Sequence, residues 1–134
     1  MAISYIKLNR YIFPLPNPRK ERPSILDKLP VGVVMSLIDV NMGIWQIPLT
    51  EESKKYTAFH TQDDHWEWNV LPMGLKEAAK TFLALMQNEF KIELGDWIHI
   101  LPEKILVISR NNKDHKSHLW TFFKALQRLE LTVR

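Results

Sequence analysis

An α+β domain, with an antiparallel sheet packed against two helices, is the fold class this sequence predicts. Two segments, Glu77 to Phe90 and about Lys113 to Leu129, repeat apolar residues at three and four residue spacings, the mark of a one-sided helix. Short runs rich in β-branched and aromatic residues, separated by turn signals, alternate with them. The resulting order is strand, hairpin, helix, hairpin, helix, which suits a layered sheet-and-helix domain.

The first segment, Met1 to Phe13, carries the β-formers Ile3, Tyr5, Ile6, Tyr11, Ile12 and Phe13 and reads as a short strand-forming piece. Pro14, Pro16, Pro18 and Pro23 then impose an extended, turn-rich connection, because each ring fixes φ and removes a donor. Residues 1–30 are accordingly set apart from a folded body at 31–134. Val31 to Val40 reads as a buried strand that presents Asp39 near its end, and Asn41-Met42-Gly43 as the turn after it. Trp45 to Leu49 and Tyr56 to His60 are expected to form further strands. Asp63-Asp64 stands as the turn of a hairpin that returns through Trp66 to Val70.

The first helix carries Ala78, Ala79, Phe82, Leu85, Met86 and Phe90 on its inner face. The second carries Leu119, Phe122, Phe123, Leu126 and Leu129, with Asn111 or Asn112 available as cap. Between them, Trp97 to Ile100 and Ile105 to Ser109 flank Leu101-Pro102-Glu103-Lys104 as the arms of a second hairpin, with Pro102 suited to the second turn position.

At 134 residues the chain has the size of one domain, and with 46% hydrophobic and 25% charged residues it is expected to fold. The absence of cysteine excludes disulfides, thiolate zinc sites and a cysteine nucleophile, and fits an intracellular protein. No signal-peptide core and no run of membrane-spanning length is present. The start is basic and free of acids before Glu21, as mitochondrial presequences are, so a mitochondrial location stands as the alternative to a cytoplasmic or nuclear one. A net charge of +3, with basic residues interleaved among Glu51, Glu52, Asp63, Asp64 and Glu77, is too small to argue for nucleic-acid binding. His115 and His118 have the spacing of some metal pairs, but without a matching third ligand they read as solvated helix-face residues. The five tryptophans read mostly as packing residues, and Glu67, between Trp66 and Trp68, as surface.

Ser36-Leu37-Ile38-Asp39-Val40-Asn41-Met42-Gly43-Ile44-Trp45-Gln46-Ile47-Pro48-Leu49 resembles the first palm motif of reverse transcriptases from Gypsy-type retrotransposons and caulimovirus-like plant pararetroviruses. The resemblance continues through Tyr56-Thr57-Ala58-Phe59 and Trp66-Glu67-Trp68-Asn69-Val70 into Leu71-Pro72-Met73-Gly74-Leu75-Lys76, with Ala78, Thr81 and Phe82 following. The last stretch is similar to the family's second motif, a Pro-x-Gly turn that opens a helix, and Trp97 to Ser109 takes the place of the third. The fold this implies is a polymerase palm-like sheet on two helices at 31–134, truncated, with residues 1–30 derived from the fingers.

For the family, the resemblance implies phosphoryl transfer by two magnesium ions held on three carboxylates. Asp39 matches the first carboxylate, whereas the paired aspartates of the third motif align with Glu103 and Lys104. A protonated lysine donates and cannot ligate magnesium, and its charge opposes the metals. Glu103 is longer by one methylene, which moves its oxygens by roughly 1.5 Å. Ile44 stands where the family implies an aromatic under the incoming sugar. Thus Asp39, Glu103 and Lys104 are expected to be vestigial active-site positions, and Ile44, Pro72, Met73, Gly74 and Lys76 vestigial nucleotide- or template-side positions. No metal or cofactor is expected. Asp39 and Lys104 are expected to form an ion pair. The function expected is that of an inactive, retroelement-derived protein acting on an unidentified host protein, with self-association through exposed palm surface. The alternative is a residual nucleic-acid-binding module around Leu71 to Lys76.

Overall fold

The computed structural model describes residues 3–16, 31–40, 42–101 and 104–134. Pro18, Pro23, Asn41, Pro102 and Glu103, to which the sequence assigns turn or site roles, lie outside the described residues.

Strand β1 (Val34–Asp39) is followed by a 3-10 turn at Gly43–Gln46, the short helix α1 (Glu51–Lys54) and a second 3-10 turn at Lys55–Thr57. Next come β2 (Phe59–His60), β3 (His65–Trp66) and helix α2 (Ala78–Glu89), and then β4 (Ile98–Ile100), β5 (Lys104–Ser109) and helix α3 (Asn112–Arg128). Both hairpins form: β4 pairs with β5, and β2 with β3 around Asp63-Asp64, although only Phe59–Trp66 and His60–His65 pair there and the expected arm does not continue as strand from Glu67 to Val70. The main sheet is antiparallel in the order β1-β5-β4, and Ile38 faces Ile105 while Asp39 faces Lys104 in the register.

Because side chains alternate across a strand, one face of this sheet supplies Ile38, Ile98, Ile100, Ile105 and Val107 to a core closed by Phe82 and Met86 of α2, Phe90 at its C-cap, and Phe122, Ala125 and Leu126 of α3. Phe90 and Phe122 stack with ring centroids 5.6 Å apart, joining the two helices. Burial of a phenylalanine of this kind contributes about 2 to 3 kcal/mol. Helix α3 begins where Asn111 caps it, its side chain accepting from the Asp114 N–H at 2.9 Å. Gly43 lies against the Phe82 ring so closely that a Cβ there would sit 2.6 Å from a ring carbon, so only glycine lets α2 approach the turn after β1.

Several expectations are corrected by the structure. Residues 3–13 form no strand among the described residues; Leu8–Arg10 is a 3-10 turn, tied down by long-range hydrogen bonds and not by strand pairing. The segment from Val31 is not buried throughout. Val31 is fully exposed, and β1 alternates, leaving Met35 and Leu37 about half exposed on the face away from the helices. Trp45 to Leu49 does not form a strand: Trp45 is in a 3-10 turn, and Pro48, which has no N–H, joins Val70 through an isolated bridge. Tyr56 likewise sits in a 3-10 turn. Ala79 and Phe123 lie at the margins of their helical stripes and are exposed. Trp66 and Trp120 are also exposed and do not pack in the core.

Candidate functional site

The sheet brings the resemblance's catalytic-type positions to one end. Asp39 closes β1 and Lys104 opens β5, as directly opposed residues of the antiparallel ladder. Asp39 is half-buried and Lys104 exposed. They make no ion pair. The ion pairs among the described residues are Lys54 with Glu51, Lys80 with Glu77, and Arg128 with Glu89. The expected Asp39–Lys104 pair is therefore corrected. At a solvent-open strand end such a pair contributes only about 0 to 1 kcal/mol, less than the freedom of a long side chain can oppose. The Asp39 carbonyl instead accepts from the Arg134 N–H at 3.0 Å. This anchors a returning tail in which Thr132 bonds Gln46 through the backbone N–H at 2.6 Å and the hydroxyl at 3.0 Å.

Ile44 lies in the 3-10 turn beyond β1, half-buried against the core, so the turn presents an aliphatic side chain beside the sheet end. The Pro72-Met73-Gly74 turn is built differently. Pro72 is fully buried, Met73 is exposed, and Gly74 takes a φ of +92°, which favours a residue without Cβ. Residues 3–16 brace this turn. The Asn9 side chain donates to the Gly74 carbonyl at 2.9 Å and accepts from the Lys76 N–H at 2.8 Å. Tyr5 donates to the Thr57 carbonyl at 3.0 Å, and burial raises its pKa despite the opposing Trp68 side chain. Lys76 stays exposed. Beside it, buried Glu77 accepts from the Leu15 N–H at 3.3 Å and pairs with Lys80 at 3.1 Å. Burial raises the Glu77 pKa, but Lys80, the Leu15 N–H and Lys76 outweigh that and hold it below the usual value.

His115 was expected to be solvated and is buried. Its Nε2 meets the Ser36 hydroxyl of β1 at 2.8 Å and its Nδ1 the Ser109 hydroxyl of β5 at 2.9 Å. Ser109 also meets His118 Nδ1 at 2.8 Å, and the His118 ring stacks on Trp97 with centroids 4.5 Å apart. This cluster ties α3 to two strands. Burial, then the charge of His118, lower the His115 pKa. His99, within β4, is also buried, and burial lowers its pKa against the opposing pull of Asp96. Neither Asn9 nor the two serines could be singled out from local sequence, since each acts on a partner far along the chain or on another element.

Two magnesium ions require several hard oxygen donors close together. Among the described residues no group of three or more His, Asp or Glu side chains could hold a metal ion, and the residue opposite Asp39 in the register is an ammonium. The described donor set does not fit such a pair. Among the described residues, no helix is long and apolar enough to cross a membrane.

Residues 2–134 match the family described as reverse transcriptase (RNA-dependent DNA polymerase). The chain is 32% identical over 123 residues to the enzymatic polyprotein of cauliflower mosaic virus (strain Strasbourg), covering 89% of this chain and 17% of that protein. It is 28% identical over 128 residues to the enzymatic polyprotein of figwort mosaic virus, covering 96% and 19%. The foamy viral protease-reverse transcriptase solved in complex with double-stranded DNA superposes with a TM-score of 0.82 at 25% identity, over 99% of this chain and 28% of that one. The chain thus spans less than a fifth of the length of the viral polyproteins it matches. The α+β body is the palm-like fold, and the chain belongs to the reverse transcriptase (RNA-dependent DNA polymerase) family, of pararetrovirus type.

Proposed function

We propose that this domain is a catalytically inactive reverse-transcriptase-like protein that acts inside the cell by binding another protein, interfering with or sequestering it. The observation that carries this reading is Lys104, fixed by the ladder directly opposite Asp39. Asp39, Glu103 and Lys104 are on this reading remnants of a metal site, because a cation at that register position opposes divalent ions and supplies no acceptor. The face of the sheet turned from the helices supports an interaction role: Met35 and Leu37 expose apolar surface there, beside Leu106 and Ile108. The same surface makes self-association a second mode of contact.

Primer extension on an RNA or DNA template with Mg²⁺ or Mn²⁺ tests inactivity. No extension is expected, and extension that disappears in Asp39→Ala would overturn the proposal. Affinity capture from cells, repeated with Met35→Glu/Leu37→Glu, tests the binding face. The expected result is a protein retained by the parent chain and lost from the variant.

A residual nucleic-acid-binding module is the second reading, favoured by the exposed Met73 and Lys76 at the braced turn, with Ile44 and Pro72-Gly74 as its remaining framework. One of the similar structures was solved with double-stranded DNA. Binding that weakens steeply between low and moderate salt favours this module, because phosphate contacts release counterions. Absence of binding at moderate salt favours the protein-binding reading.

A further inference from the structure

We propose that His60 and His65 form a two-histidine chelate for a divalent late first-row metal ion, Cu²⁺ or Zn²⁺, at the end of the β2–β3 hairpin. The two residues are directly opposed in the register, so their side chains project from the same face of the ribbon. Their rings already touch, edge to face, with centroids 3.9 Å apart and planes at 73°. Both are exposed, and neither ring is engaged by a hydrogen bond to the described protein. On this proposal the two rings turn about their side-chain torsions to direct one nitrogen each toward a shared ion, and water completes the coordination shell.

The hairpin end holds the pair in place before any ion arrives. Thr61 N–H donates to the Asp64 carbonyl at 2.9 Å, Asp64 N–H to Thr61 Oγ1 at 3.2 Å, and His65 N–H to Asp64 Oδ1 at 2.9 Å. The Trp66 indole adds a bond to Thr61 Oγ1 at 3.3 Å. With the backbone so fixed, the second imidazole binds at high effective concentration once the first has bound. Imidazole nitrogen suits copper and zinc, and affinity at a given nitrogen site is greatest for Cu²⁺. The turn residues Asp63 and Asp64 place negative charge beside the site and attract a cation.

Titration of the folded chain with Cu²⁺ alone, and separately with Zn²⁺ alone, at pH 7.5 tests the site. Saturable binding of one ion per chain at submillimolar concentration is expected, tighter for Cu²⁺, with paramagnetic broadening by Cu²⁺ strongest at the His60 and His65 imidazole resonances. His60→Ala and His65→Ala should each weaken binding about tenfold or more, since a single ligand loses the chelate, while His118→Ala should leave it unchanged. Circular dichroism of each variant checks that the fold is kept, and His60→Asn and His65→Gln serve if an alanine variant unfolds. Absence of saturable binding, or binding and broadening unaffected by both hairpin substitutions, would overturn the proposal.

Discussion

Two histidine pairs in this molecule have opposite appearances in sequence and in space. His115 and His118 stand three apart on a helix, the spacing of many metal ligands, yet their Nδ1 atoms both meet the Ser109 hydroxyl and His115 Nε2 meets Ser36. His60 and His65 have no suggestive spacing, yet a hairpin brings their rings into contact in open solvent. Spacing along a helix says which side chains share a face. Whether a nitrogen lone pair is free depends on what the neighbouring element places against it. The first pair is structural because two strands present serines to it, and the exposed pair is available because no described residue does.

The sharpest break of this comparison is in stability. His115→Ala removes a buried ring that bonds the Ser36 and Ser109 hydroxyls beneath α3, while Ser109 keeps His118 as a partner; two hydrogen bonds of about 0.5 to 1.5 kcal/mol each are lost, so a loss of about 2 kcal/mol in urea unfolding is expected. His65→Ala, at an exposed position, should fall within about 0.5 kcal/mol. Equal losses in the two variants would erase the distinction between a structural and an available pair.

Acid should separate the pairs next. The folded pKa of His115 lies below its ordinary value of 6.5, so between the two values the unfolded chain binds more protons than the folded one, and stability rises with pH. The contribution is fully present above about 6.5 and is lost as pH falls through the folded value. His99 acts in the same sense through its burial. Unfolding measured at pH 7.5, 6 and 5 should therefore show a decline that His115→Gln makes shallower, the remainder belonging to His99 and, toward pH 5, to Glu77. A slope unaffected by His115→Gln would remove His115 from the acid response.

Much of the fold was legible because its elements obey local rules. The stripes through Phe82 and Met86 and through Phe122 and Leu126, the Asn111 cap and both hairpins follow from periodicity and turn chemistry, which each segment carries in itself. The failures share a cause as well. The β-formers around Tyr5 do not make a strand because the segment is held by long-range bonds, from Tyr5 to Thr57, Asn9 to Gly74 and Leu15 to Glu77, and these override propensity. Trp45 is turned out of a strand by the 3-10 turn that brings Gly43 under Phe82. At the candidate site, the family resemblance set Asp39 beside Lys104, because the β4–β5 hairpin alone does not fix the register of β1 against β5. It could not decide whether they pair, because that depends on how much water each end retains.

The smallest expected effect probes the inside of the buried cluster. His118 contributes one bond to Ser109 and a stack on Trp97, both near the surface, so His118→Ala should cost only about 1 kcal/mol. The same substitution removes the neighbouring charge that helps to hold the His115 pKa down, and should bring the folded value back toward 6.5. The decline of stability in acid should then become shallower even though the protein is slightly less stable at pH 7.5. A structural role in packing alone would lower stability equally at both pH values, so the pH dependence of the His118→Ala difference reports the coupling between the two rings.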